Sequence, residues 1–132
     1  MSIKGSCHCG YVEYALAQDD LTDVANCHCS ICRRSTGGTF VTWATVPKED
    51  LQWVAGRPGV YQATADSQRF YCPRCGAQLA LYTDLAPETI DITVSTLERA
   101  DDFPPGREIW VKNKIKWVKL VESLVHEEEE VL

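Results

Sequence analysis

The residues most able to do chemistry are three cysteines in one short stretch, Cys27-His28-Cys29-Ser30-Ile31-Cys32. Thiols at this density indicate metal binding or a redox reaction. Three protein ligands leave one position of a tetrahedral zinc ion open, as in catalytic zinc sites. The spacing therefore predicts a catalytic zinc ion on Cys27, Cys29 and Cys32.

The other four cysteines form two close pairs, Cys7 with Cys9 and Cys72 with Cys75. Four thiolates complete the tetrahedral shell of a structural zinc ion, so these four predict a second site of a different kind. The pairs are far apart in sequence, and an ion that joins them closes a long loop. Metal binding and folding should therefore be coupled.

Two histidines, His8 and His28, each lie between two of these cysteines. In extended chain, residues two apart point the same way and the residue between them points away. We therefore expect both imidazoles to pack or to face solvent rather than to bind metal.

Composition indicates an ordinary globular chain of 132 residues, with 45% hydrophobic and 24% charged residues. We predict one zinc-binding domain over residues 1–125 and an acidic tail over 126–132, solvated because its like charges repel. The net charge of -6 disfavours nucleic acid as a partner.

The compartment bears on the fate of the cysteines. No stretch approaches the roughly 18 apolar residues of a membrane span, and the start lacks the apolar core of a signal peptide. We therefore expect a cytoplasmic protein without a membrane partner. A reducing compartment keeps thiols free, and an odd count of seven cysteines fits disulfides poorly.

Short runs of alternating or β-branched residues predict a mostly β fold. The runs lie at 11–16, 40–46, 51–54, 60–63, 78–82, 90–95 and 108–111, the last of these being the predicted final strand. Val12, Tyr14 and Leu16 should point inward. One short helix is expected over 31–36, capped by Ser30 and ended by Gly37-Gly38.

An open zinc position suits an incoming thiol, whose pKa the ion would lower. The thiolate would then lie beside a carbonyl group, so the chemistry expected is the making or breaking of a carbon–sulfur bond. Arg33, Arg34 and Arg69 are candidates to bind substrate carboxylates, because the guanidinium group fits a carboxylate with two parallel hydrogen bonds.

Three segments together resemble the glutathione-dependent formaldehyde-activating enzyme family, which includes centromere protein V. They are Gly5-Ser6-Cys7-His8-Cys9-Gly10, the run from Cys27 to Gly38, and Arg69-Phe70-Tyr71-Cys72-Pro73-Arg74-Cys75-Gly76. The resemblance implies a β-tent, in which antiparallel sheets fold over each other with short helices. It also implies one zinc on Cys7, Cys9, Cys72 and Cys75 and another on Cys27, Cys29 and Cys32. The activity implied is the addition of glutathione to formaldehyde, a carbon–sulfur lyase reaction in reverse.

Two alternatives to this enzyme remain. The chain would be a zinc-stabilised binding or chaperone module if the triplet gained a fourth ligand. It would be a thiol redox protein if Cys29 and Cys32 formed a reversible disulfide. The thiol, the aldehyde and the oligomeric state stay open.

Overall fold

The computed structural model describes residues 2–131 and confirms the mostly β fold, with 38% of the chain in strands and 15% in helices. The strands of this part of the chain are β1 (Ile3–Ser6), β2 (Glu13–Leu16), β3 (Val24–Cys27), β4 (Val41–Pro47), β5 (Leu51–Ala55), β6 (Gly59–Gln62), β7 (Ser67–Tyr71), β8 (Gln78–Thr83), β9 (Thr89–Thr93), β10 (Arg107–Ile109) and β11 (Val125–His126). The helix α1 spans Ser30–Thr36, and four single turns of 3₁₀-helix begin at residues 48, 94, 100 and 111.

The strands form two sheets. Three strands pair in the order β1-β2-β5, and eight in the order β11-β10-β3-β4-β9-β8-β7-β6. Among the described residues, pairing is antiparallel except where β10 lies parallel to both β3 and β11. β10 therefore brings a distant part of the chain beside the triplet, with Ile109 opposite Cys27.

The main core lies where the small sheet meets one face of the large sheet. The alternation predicted for β2 is confirmed, since Val12, Tyr14 and Leu16 are all buried. They pack in one cluster with residues such as Ala44 of β4 and Ile92 of β9. Burial of such side chains contributes about 1.5–3 kcal/mol each to folding.

The other face of the large sheet carries the candidate site. Four residues from adjacent strands form a cross-strand row there: Arg69 lies opposite Leu81, Leu81 opposite Asp91, and Asp91 opposite Thr45. Trp43, two residues before Thr45 on β4, packs in a second apolar cluster with Cys27 and Cys32. β4 is apolar on both faces because both faces are covered.

Two local predictions differ from the structure. The strand expected over 108–111 is β10, which ends at Ile109 because Trp110 has φ 56° and ψ 37°, a left-handed conformation that ends the ladder. β11 follows it, so β10 is not the final strand. The cap of α1 is the side chain of Cys29, and Ser30 is the first helical residue.

The acidic segment differs from the solvated one that its charge predicts. His126 pairs with Glu108 in β11, and the Glu127 amide donates to the Glu108 carbonyl at 2.9 Å. The Arg107 guanidinium lies 3.2 Å from carboxylates of both Glu127 and Glu130. A cation on β10 therefore offsets the repulsion within the segment. None of the helices in the described residues has the length and apolar character needed to cross a bilayer.

Candidate metal centres and the adjoining cavity

The four paired cysteines converge where the two sheets meet. Cys7 and Cys9 follow β1, Cys72 and Cys75 lie between β7 and β8, and all four sulfurs are within 4.8 Å of one another. The Cys7–Cys9 and Cys9–Cys72 sulfur pairs are 3.6 and 3.7 Å apart. Sulfurs bound tetrahedrally at about 2.3 Å from zinc would lie about 3.8 Å apart. The four residues therefore fit a closed four-sulfur metal site.

Backbone amides point at these sulfurs. Val12 N donates to Cys7 Sγ at 3.3 Å, and the amides of Arg74 and Cys75 donate to Cys72 Sγ at 3.4 Å. Amide contacts with Cys9 and Ala77 lower the pKa of Cys75 to about 6. Such donors stabilise thiolates, the form that a metal ion requires. Cys7 and Cys9 sit in a turn rather than in the extended chain assumed from sequence, and His8 is exposed.

The three remaining cysteines converge at the start of α1. Cys27 ends β3, Cys29 caps the helix and Cys32 lies in its first turn; their sulfurs are also within 4.8 Å of one another. Cys32 N donates to Cys29 Sγ at 3.2 Å, and the Cys27 and Cys32 sulfurs are 3.5 Å apart. Hydrogen bonds from the Cys27 and Cys32 thiols lower the pKa of Cys29. This cluster supplies three thiol ligands and no fourth among the described residues.

Arg69 is a charged side chain in contact with the triplet. It is 4% exposed, and its Nη2 donates to Cys32 Sγ at 3.5 Å. Its Nε and Nη1 have no hydrogen-bond partner in the described structure. A buried cation with unused donors is costly unless an anion or a polar group meets it. Arg69 therefore balances negative charge on the triplet and offers N–H groups to a ligand.

His28 faces away from the sulfurs, as predicted from its place between Cys27 and Cys29. Its Nε2 lies 2.7 Å from Glu108 Oε1, and both residues are about 1% exposed. The second Glu108 oxygen accepts from Val121 N at 2.8 Å. The His28–Glu108 contact thus joins the chain around Cys27 and Cys29 to β10 and to the segment after β10. This contact helps to fix the positions of the two cysteines.

A cavity of about 90 Å³ opens beside the three sulfurs. Its walls include the three cysteines with Trp43, Arg69 and Trp110. Next to it lies a wider cleft of about 430 Å³. The two spaces share Thr45, Leu81, Asp91, Arg107, Trp110 and Glu130 as lining residues. The small cavity suits a group of a few atoms, whereas the cleft has the volume of an ordinary ligand site.

The structure brings only one of the three predicted arginines to this site. Arg69 lines the small cavity, whereas Arg33 is half-buried on α1, Arg34 is exposed there, and neither lines the cavity or the cleft. Arg33 and Arg34 follow the triplet directly in sequence, but the helix turns them away from it. Sequence proximity was therefore a poor guide to this part of the site.

Sequence reasoning missed Asp91 and Arg107. Asp91 Oδ1 accepts from Thr45 Oγ1 at 2.6 Å, and desolvation raises the pKa of its carboxyl to about 7. A signal was present, because a lone carboxylate between Ile90 and Ile92 is unusual in an inner strand. Arg107 had no comparable signal, since its place depends on the parallel pairing of β10 with β3.

Comparison with known proteins places this chain in a family. The family model described as "Glutathione-dependent formaldehyde-activating enzyme" matches residues 2–113. The chain therefore belongs to this family. A Halomonas elongata protein named "Putative glutathione-dependent formaldehyde-activating enzyme" is 30% identical over 128 residues, covering 91% of this chain and 82% of that protein. The crystal structure of a Rhodobacter sphaeroides protein is similar with a TM-score of 0.61 and 25% identity, covering 94% of this chain and 98% of that one.

Proposed function

We propose that this protein is a zinc-dependent carbon–sulfur lyase that interconverts a glutathione-like thiol and a small aldehyde with their S-hydroxymethyl adduct. The observation that carries the proposal is the convergence of three thiols, without a fourth, at the wall of a cavity that adjoins a ligand-sized cleft. Family membership supports glutathione and formaldehyde as the substrates. We place the protein in the cytoplasm, where its thiols stay reduced, with no nucleic-acid partner.

Both cysteine clusters have the donors that zinc prefers. We propose a structural ion on Cys7, Cys9, Cys72 and Cys75 and a second ion on Cys27, Cys29 and Cys32. The second ion, when bound, would hold the substrate sulfur as a thiolate.

The reaction forms one carbon–sulfur bond. The substrate sulfur adds to the carbonyl carbon, the carbonyl π bond breaks, and the thiol proton ends on the carbonyl oxygen. The small cavity has room for a one-carbon aldehyde beside the sulfur. Arg69 would donate its free N–H groups to the oxygen as negative charge develops there.

A proton carrier is needed for this addition, and Asp91 is suited to it. Its carboxyl lines both spaces, and its pKa of about 7 lets it hold or release a proton at neutral pH. Thr45 donates to one of its oxygens and fixes the side chain. We therefore assign proton transfer to Asp91 and charge stabilisation to Arg69.

The test combines native mass spectrometry with a rate measurement. We expect two zinc ions per chain, one bound glutathione, and adduct exchange faster than the uncatalysed reaction when followed by ¹³C exchange NMR. Two zinc ions without acceleration would favour the binding or chaperone module. One zinc ion with a reversible Cys29–Cys32 disulfide would favour the redox protein and overturn the lyase.

A further inference from the structure

The acidic segment, residues 127–131, lies against the candidate active site. Glu130 lines both the small cavity and the wider cleft, and Val131 lines the cleft. The family model ends at residue 113, so this segment lies outside the part of the chain that it matches. Family membership therefore does not explain why the acidic segment lines the cavity and the cleft.

The acidic segment is bound by a surface formed by Arg107 and residues 110–112. We name this surface the peptide subsite, because its cations and amides suit an anionic peptide. The Arg107 guanidinium contacts Glu127 and Glu130. Three successive amides donate to carbonyls of the segment: Val111 to Glu127 at 3.1 Å, Trp110 to Glu129 at 3.3 Å, and Lys112 to Glu128 at 3.4 Å. Lys112 Nζ also contacts the Glu129 carboxylate.

The backbone of Trp110 makes this arrangement possible. A non-glycine residue in the left-handed region is strained by about 1–3 kcal/mol, and such residues cluster at binding and catalytic sites. The left-handed Trp110 leads directly into the 3₁₀ turn Val111–Asn113, and the amides of its first residues are left to donate outside the turn. The strained conformation of Trp110 therefore helps to form the surface whose amides bind peptide carbonyls.

The segment is held weakly enough to be displaced. Two of its three amide hydrogen bonds to residues 110–112 are long, at 3.3 and 3.4 Å. The Val131 amide and Arg107 lower the pKa of Glu127, whereas desolvation raises the pKa of Glu130 in spite of the attraction of Arg107. The ionised Glu130 carboxylate is thus less stable here than in water, so the ion pair between Glu130 and Arg107 contributes little net binding. A ligand with better-placed carboxylates would compete effectively.

From these contacts we propose that residues 127–131 occupy the subsite for the carboxylate-bearing peptide part of the thiol substrate, with Arg107 as the residue that recognises the carboxylate. The segment is an internal competitor that must leave before an acidic thiol peptide can enter. This inference rests on the proposed function for the identity of the thiol, but the binding of an acidic peptide can be tested without turnover.

The probe is S-methylglutathione, which keeps both carboxylates and both peptide groups but has no free thiol. In the full chain, the double variant Glu127→Gln/Glu130→Gln should bind it at least about tenfold more tightly than the parent by calorimetry, because the competitor is weakened. The matched control Glu98→Gln/Glu122→Gln makes the same charge change at exposed side chains outside the segment and should leave the affinity unchanged.

Three further readouts locate the binding. S-methylglutathione should shift the backbone amide NMR signals of residues 110–112, and adding Arg107→Gln to the double variant should reduce the affinity tenfold or more. A blocked peptide of residues 127–131 should compete for the same site. Equal affinities in the test and control variants, or no competition, would overturn the inference. Tighter binding of S-methylglutathione by the double variant, without turnover of the substrate, would reject the lyase and keep the peptide subsite. Turnover with equal affinities in the test and control variants would keep the lyase and reject the subsite.

Discussion

At the scale of single residues, the site depends on a buried guanidinium with unused donors. Arg69 reaches the triplet from β7, 37 residues beyond Cys32, and lies about 6.0 Å from the centre of the Trp43 ring. A cation in this position lowers the free energy of nearby thiolates and of an oxyanion in a water-poor cavity. We therefore propose that Arg69 acts through its charge rather than through packing.

Replacing Arg69 tests this role. Arg69→Met should lower kcat/KM for glutathione-dependent adduct formation by about 10²–10³, the usual effect of removing an oxyanion donor. Arg69→Lys should recover part of the activity, because the charge returns without the planar group. Arg34→Gln, an exposed change on α1, is the control and should keep full activity. Equal activity in all three variants by the exchange assay would remove Arg69 from the site.

The raised pKa of Asp91 predicts that the stability of the protein depends on pH. The folded pKa of about 7 lies above the ordinary value of 3.8, so between these pH values the folded state keeps a proton that the unfolded state releases. The free energy of unfolding should therefore fall as pH rises through this window. Asp91→Asn should flatten the dependence and be more stable than the parent at pH 8 in urea unfolding. The same slope in both proteins would contradict the assignment.

At the scale of elements, α1 combines a helix cap with a ligand set. Cys29 accepts the Cys32 amide as an N-cap would, and Gly37 ends the helix with φ 76° while its amide donates to the Arg33 carbonyl. The same geometry aims the helix amides at the sulfurs. Formation of α1 therefore also brings the sulfurs of Cys29 and Cys32 together.

Two substitutions at Cys29 should separate these roles. Cys29→Ser keeps a good N-cap, so native mass spectra should show one zinc ion instead of two while the melting temperature stays within a few degrees of the parent. Cys29→Ala should lose the same ion and also about 1 kcal/mol of stability. Loss of the whole fold in Cys29→Ser would make the triplet a structural site.

At the scale of the whole molecule, the four-cysteine site joins the two sheets. Cys7 and Cys9 follow the small sheet and Cys72 and Cys75 belong to a turn of the large one, so an ion here closes a loop of more than 60 residues. Constraining so long a loop removes much entropy from the unfolded chain. We expect the two sheets to separate when this ion is lost.

Cys72→Ser checks this coupling. The variant should be unfolded or insoluble, because it loses a ligand that is fully buried and whose sulfur accepts two amides. A chelator strong enough to remove both ions should give the same loss of circular dichroism in the parent. A Cys72→Ser protein that melts as the parent does would show that the site is not structural.

Much of this architecture was predictable from sequence, for identifiable reasons. The strand runs, the two cysteine groups and the orientation of His28 follow from local period and spacing. The parallel pairing of β10 did not, because β3 and β10 are about 80 residues apart and neither carries a local signal for the other. The positions of Arg107 and of the bound acidic segment were missed for the same reason, and the segment's charge alone favoured a solvated chain.

The parallel pairing of β10 also sets an order of assembly during synthesis. The four-cysteine site has all its ligands once residue 75 has been made, but the walls of the small cavity are complete only at Glu130. At about 5–20 residues per second, the ribosome needs about 3–11 s for the intervening 55 residues. During that interval the nascent triplet lacks the wall formed by β10 and the acidic segment, and its thiols are open to zinc carriers and oxidants. We therefore expect the proposed second ion to be loaded or lost more readily on newly made chains than on finished ones.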